Sequence, residues 1–194
     1  NRRNHDLELL FIHKLISIQF SKAGLDVVGI DVDAHKVESL AAGKSYIGHI
    51  DGALIQELKN NGRFQPTSDF SAAKDCDGIL LCVPTPLNAN REPDLSYVLE
   101  TGKSLAPHLK PGTVICLEST TYPGTTEIDL RKVLEEGSGK TAGVDFHLAY
   151  SPEREDPSNP DSKVERIPKL VGGLTTLCRE KAIAIYSHAI HTIV

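Results

Sequence analysis

From residue 25 onward, short apolar runs rich in β-branched residues alternate with longer stretches whose apolar residues recur at helical spacing. That alternation constrains the fold more than any other feature. A strand, a helix and a further strand in succession pair their strands in parallel, because the crossover returns the chain to the same end of the sheet. Right-handed crossovers then give a doubly wound α/β fold with helices on both faces.

Residues 25–30 read as a strand, with Val27, Val28 and Ile30 β-branched and Asp31 closing the run. Residues 34–42 read as a helix with Val37 and Leu40 on one face, stopped by Gly43. A second helix covers 53–60, with Leu54, Ile55 and Leu58 inward and Gly62 as terminator. The run 78–83 is a fully apolar strand, and Pro84 and Pro86 force a loop after it. Residues 94–108 form a helix with Asp94 as N-cap. A turn at Pro111-Gly112 leads to a strand at 113–117, then a helix at 124–136 ended by Gly137. A strand at 146–150 precedes a polar loop to about Arg166. The remainder reads as a short strand at 169–171 ended by Gly172-Gly173, a helix at 176–187 and a last strand at 191–194.

The length of 194 residues suits one domain, or one domain and the start of another. A net charge of -5 with no basic stripe argues against nucleic acid as a partner. No apolar run reaches the ~18–20 residues that span a bilayer, so no membrane is expected. The apolar stretch 9–20 is interrupted by His13, Lys14, Ser17 and Gln19, and no small-residue cleavage site follows it. Cys76, Cys82, Cys116 and Cys178 lack CxxC spacing and read as reduced thiols of a cytoplasmic protein. The absence of Met suggests an N-terminus that is missing, replaced or trimmed. His188 and His191 have no further ligands at suitable spacing, so no metal is expected.

In a doubly wound sheet, ligands sit at the carboxyl ends of the strands. Four places follow. Asp31 ends a strand, where a carboxylate accepts both hydroxyls of an adenine ribose and repels a 2′-phosphate, favouring NAD over NADP; the plainer alternative is a cap for the next helix. Lys36, five residues on, reaches the same ribose or is a solvated helix residue. Cys82-Val83-Pro84-Thr85-Pro86-Leu87 makes a stiff loop that carries a hydroxyl to the sheet edge, beside a dinucleotide or as a plain rigid turn. In the run 118–126, hydroxyls and backbone N–H groups before a helix suit a phosphate or a catalytic water, or ordinary capping by Thr125 or Thr126. In Ser151-Pro152-Glu153-Arg154-Glu155-Asp156-Pro157, three carboxylates supply a general base or form a solvated acidic loop.

The runs GLDVVGIDVDAHKV, LLCVPTPL, ESTTYPGTTE, YSPEREDPSNP and IPKLVGG stand in this order along the chain. Together they resemble the UDP-glucose/GDP-mannose dehydrogenase family, in the form found in bacterial UDP-N-acetylglucosamine and UDP-N-acetylmannosamine 6-dehydrogenases. The resemblance covers roughly residues 20–194, and it implies a Rossmann-like NAD-binding domain preceded by an atypical segment at 1–19. It also implies oxidation of the C6 alcohol of a UDP-sugar to the carboxylate with two NAD, in polysaccharide biosynthesis. Carried over by position, Asp31 binds the adenine ribose, Lys36 sits beside it, and Val83, Pro84, Thr85 and Pro86 line the cofactor. Ser119 and Thr120 match the pair beside the nicotinamide and the catalytic water. Glu153 matches the residue implicated in water activation and thioester hydrolysis, and Arg154, Glu155 and Asp156 lie in the loop that touches the sugar nucleotide.

The sequence departs from the family in two places. Residues 9–19 stand where the family has its first strand and a GxGxxG turn, so the central strand is expected to be lost or replaced, although Ile12, Leu15 and Ile16 keep helical spacing. The chain also stops before the family's central helix, its dimer contact, and the second domain with its catalytic Cys. The resemblance therefore implies a chain that does not complete the reaction alone. A non-catalytic remnant with weak or no nucleotide binding is the alternative, and another dinucleotide-dependent dehydrogenase, such as a hydroxyacid enzyme, is a third reading.

Overall fold

A computed structural model describes residues 8–11, 16–45, 52–87, 91–152 and 168–194. In chain order the elements are β1 (Glu8–Phe11), α1 (Ile16–Lys22), β2 (Asp26–Ile30), α2 (Ala34–Ala41), α3 (Gly52–Asn60), β3 (Phe64–Thr67), β4 (Gly78–Leu81), α4 (Ser96–Leu105), β5 (Val114–Leu117), α5 (Arg131–Ser138), β6 (His147–Tyr150), β7 (Gly172–Gly173) and α6 (Thr176–Tyr186). The strands form one sheet in the order β3-β2-β1-β4-β5-β6-β7. All neighbours pair in parallel except β6 and β7. The fold is the doubly wound parallel sheet that the alternation requires.

The central position, expected to be lost or replaced, is filled by β1, in register with β2 (Glu8 opposite Asp26, Phe11 opposite Gly29) and with β4 (Leu10 opposite Ile79). Every residue of β4 and β5 is buried. Both faces of these strands are covered, which is why their sequences are continuous apolar runs without alternation. One face holds Val28, Ile30, Ile79, Leu81, Ile115, Leu117 and Leu148 against α4 and α5. The other holds Val27, Leu80, Val114, Cys116 and Ala149 against Phe20 of α1 and Ala182, Ile185 and Tyr186 of α6. β3 lies at the open edge, where Pro66, which has no N–H to donate, is tolerated.

Several local expectations are corrected. α4 starts at Ser96, because the Asp94 carboxylate accepts from the Ser96 N–H at 2.9 Å and closes a turn ahead of the helix. It gives way at Ala106–His108 to a 3-10 turn containing Pro107. The helix expected at 124–136 opens as a π-turn (Thr125–Leu130) before α5. Gly137 does not end α5; Gly139, at φ 66°, does. Gly137 instead lets α5 approach the 106–108 turn, since a Cβ there would lie 2.6 Å from Ala106 Cβ. The strand expected at 169–171 is only a bridge from Lys169 to Ile193, and the two glycines after it form β7. β3 and a 3-10 turn at Phe70–Asp75 were not anticipated.

Phe20 is fully buried and packs its ring 6.2 Å from that of Tyr186. Phe20→Ala is expected to lower unfolding stability by about 3–5 kcal/mol. Val32→Ala, at a side chain 82% exposed, should change it by less than about 0.5 kcal/mol. Urea unfolding of both variants checks this, and similar small losses in the two would contradict the packing described.

Candidate functional site

Because β1, β2, β4, β5 and β6 run in parallel, the segments after them gather along one rim. The chain winds outward from β1 through β2 to β3, then returns to β4 on the other side of β1 and continues to β6. The winding direction reverses between β1 and β4, the position at which sheets of this kind bind their ligands.

Asp31 follows β2 directly. Its Oδ1 accepts from the Asp33 N–H at 2.9 Å, and Lys36 Nζ lies 3.2 Å from Oδ2. The carboxylate is 21% exposed and so remains reachable from the rim. Asp33, not Asp31, is the N-cap of α2, accepting from the His35 N–H. The carboxylate of Asp31 is thus oriented by its neighbours and is not occupied as the cap of that helix.

The β4 and β5 segments are tied together. Ser119 Oγ donates to the Val83 carbonyl at 2.7 Å, and Thr85 Oγ1 donates to the Thr120 carbonyl at 2.6 Å. Tyr150 OH, at the end of β6, donates to the Ser119 carbonyl at 3.2 Å. The hydroxyls of Ser119 and Thr85 therefore fix the rim. Val83 is buried in the core, Pro84 and Pro86 are exposed, and the side chain of Thr120 is exposed. Thr125 Oγ1 donates back to the Tyr122 carbonyl, and Gly124 stands at the N-cap, so neither Thr125 nor Thr126 caps the following turn by its side chain.

Ser151 is fully buried, and its Oγ has no hydrogen-bond partner among the described residues. Glu153, Arg154, Glu155 and Asp156 lie outside the described residues. A cavity of about 420 Å³ opens beside the rim, lined among others by Thr121, Tyr122, Glu127, Tyr150 and Gly173. Among the described residues no group of three or more candidate ligands for a metal is found, and no helix is long and apolar enough to cross a membrane.

Sequence reasoning missed a buried polar cluster under the rim. The Glu118 side chain is fully buried; its Oε1 accepts from Tyr186 OH and lies 3.1 Å from Lys169 Nζ. Cys82 Sγ donates to Oε2 at 3.6 Å. The available signal was an acid placed directly after an apolar strand. Burial, and then the charge of Glu118, push the Cys116 thiol up to about 12. Burial also pushes the Tyr186 phenol well above its ordinary range.

The residues fit a dinucleotide at two separated points. β2 and β5 are three strand spacings apart, roughly 14 Å. No single small group spans that distance, and a ligand that used both positions would have to be extended and lie across β1 and β4. The segment 12–15 between β1 and α1 contains no glycine in the sequence, and it lies outside the described residues.

Burial of Cys116 has a consequence for alkaline stability. Its thiol ionises near pH 9 when unfolded and near 12 when folded. The folded state thus holds its proton longer, and stability is full below pH 9 and lost between pH 9 and 12. The contribution is on the order of 4 kcal/mol. Urea unfolding at pH 8 to 11 should show this decline, and Cys116→Val should make it shallower; an equal slope in both proteins would refute the assignment.

Comparison with known proteins follows the same lines. Residues 11–190 match the pattern of the UDP-glucose/GDP-mannose dehydrogenase family, NAD binding domain. The chain is 32% identical over 175 residues to the UDP-N-acetyl-D-glucosamine 6-dehydrogenase of Pseudomonas aeruginosa, covering 90% of this chain and 40% of that protein. It is 30% identical to the UDP-N-acetyl-D-mannosamine dehydrogenase of Escherichia coli K12, over 86% of this chain and 41% of that one. The crystal structure of NDP-N-acetyl-D-galactosaminuronic acid dehydrogenase from Methanosarcina mazei Go1 superposes with a TM-score of 0.89 at 28% identity, covering 99% of this chain and 44% of that one. The chain spans about two fifths of the length of the curated relatives it matches.

Proposed function

The chain belongs to the UDP-glucose/GDP-mannose dehydrogenase family, as its NAD-binding domain, and from that membership and the rim geometry we propose how its residues serve a UDP-sugar 6-dehydrogenase. The observation that carries the reading is the rim itself. It presents an oriented carboxylate at one end and a braced Ser119-Thr120 pair at the other, across the reversal of winding.

Bound NAD supplies the hydride acceptor for oxidation of a C6 alcohol. Asp31 accepts hydrogen bonds from the two hydroxyls of the adenine ribose, and Lys36 holds its carboxylate in place. The charge of Asp31 disfavours a 2′-phosphate, so NAD is preferred to NADP. Pro84, Thr85 and Pro86 form a stiff wall along the cofactor, rooted in the core by Val83. Thr120, exposed beside the backbone of Ser119, faces the reacting end and positions a water. Glu153 activates that water, and Arg154, Glu155 and Asp156 contact the sugar nucleotide; the proposal for these four rests on the sequence of the acidic run.

The substrate proposed is a UDP-N-acetylhexosamine. The names of the relatives in Pseudomonas aeruginosa and Escherichia coli support this choice. The proposal assigns the chain to the cytoplasm. The family's catalytic Cys matches none of the four cysteines here, so the chain alone does not turn over substrate. The second reading is a non-catalytic remnant with weak or no nucleotide binding, favoured by the absence of glycine from the sequence at 12–15, since glycines after the first strand are what let backbone approach a pyrophosphate.

Fluorescence titration separates the two readings. Saturable NADH binding is expected, weakened about 10–100-fold by Asp31→Ala, the loss of hydrogen bonds to a charged acceptor. NADPH should bind more weakly than NADH to the parent, and that preference should shrink in the variant. Absence of saturable NADH binding sinks the proposal. Incubation with UDP-N-acetylglucosamine and NAD should release no NADH, and measurable turnover would contradict the proposed need for a catalytic Cys outside these 194 residues.

A further inference from the structure

We propose that Glu118, Lys169 and Tyr186 form a buried latch that positions the Ser119-Thr120 rim for its ligand. The proposal rests on the reading of that rim as a dinucleotide site. Side chains alternate along β5 and its continuation: Cys116 and Glu118 face α6, and Leu117 faces the opposite layer. Glu118's partner Tyr186 and its neighbour Cys116 belong to a buried apolar cluster with Leu80, Val114, Ala149, Ala182 and Ile185.

A carboxylate in such surroundings is costly unless every lone pair finds a donor. Here it accepts from a phenol, an ammonium and a thiol on three separate segments: Tyr186 on α6, Lys169 on the strand-like run before β7, and Cys82 after β4. Lys169 is itself held. Its backbone N–H donates to the Thr192 carbonyl, its carbonyl accepts from Val194, and its ammonium lies 5.3 Å from the centroid of the Tyr186 ring.

Stability alone does not account for this arrangement, because apolar side chains of the same volume usually fill such a space at no loss. Its placement supplies the reason. The Glu118 N–H donates to the Leu81 carbonyl and extends the ladder one residue past β5. The next residue is fixed through Val83 and Tyr150, and the one after through Thr85. Those three bonds hold the rim to β4 and β6 within the layer of the sheet. Glu118 is the residue that pins its root to the helix beneath, so these three groups are positioning residues rather than catalytic ones.

The test uses the intact 194-residue chain with three variants: Lys169→Met, the double variant Glu118→Leu with Lys169→Met, and Tyr186→Phe. Thermal midpoint, amide exchange of 119–124 and NADH affinity are read for each. Lys169→Met strands a buried carboxylate and should lower the midpoint. The double variant should recover most of that loss, yet exchange at 119–124 should stay at least tenfold faster than in the parent, and NADH affinity at least fivefold weaker. Tyr186→Phe, which removes one donor, should fold and raise exchange at 119–124 at least threefold, with less than twofold change at 26–30.

Parental exchange and affinity in the double variant would overturn the latch, and so would unchanged exchange at 119–124 in Tyr186→Phe, which decides the matter if the double variant does not fold. Should the parent bind no NADH, the dinucleotide reading fails, while exchange still decides whether the latch orders the rim.

Discussion

Parallel pairing is the constraint from which the rest of the structure follows. It forces each of the first strands to be followed by a crossover, and each crossover must cover one face of the sheet. The strands at the centre are then buried on both sides, and their carboxyl ends share one rim. Asp31, Val83 to Pro86 and the 118–124 run are far apart in the chain, and they meet because that rule leaves them no other end of the sheet to occupy.

Elements whose identity depends on local chemistry were legible in the amino-acid sequence itself. β2, β4 and β5 announced themselves as β-branched or wholly apolar runs, and α2 and α3 ended near glycines that adopt positive φ. Tertiary packing decided the remainder. Phe64-Gln65-Pro66-Thr67 carries no strand pattern, and it becomes β3 because the edge of the sheet tolerates a missing donor. Gly137 and Gly139 look alike as helix stops, yet one serves a close approach to Ala106 and the other the αL end of α5. Only the spatial neighbour distinguishes them.

The site divided in the same way. Its exposed rim was legible, since its residues sit where strands end. Its support was not. Glu118 reaches Lys169 and Tyr186 across 51 and 68 residues of chain, and no periodicity links positions so distant. Residue type left the Thr85 hydroxyl open between a ligand and a rigid turn, and the geometry employs it and the Ser119 hydroxyl to join neighbouring loops. Residue type gives the chemistry a side chain can perform; the fold decides whether that chemistry is directed at a ligand or at the chain itself.

The centre of the rim poses the remaining physical question. β1 holds its register between β2 and β4, so the sheet does not need glycines after it in order to form. Glycine at that turn serves the ligand, by removing Cβ atoms from the path of a pyrophosphate. The sequence Ile12-His13-Lys14-Leu15 carries no glycine, so the fold that brings Asp31 and Thr120 onto one rim forms without the residue type that usually admits a pyrophosphate there. Contacts at the two ends are set by hydrogen bonds that do not involve that run. The two ends of the rim are therefore ordered independently of the turn that follows β1.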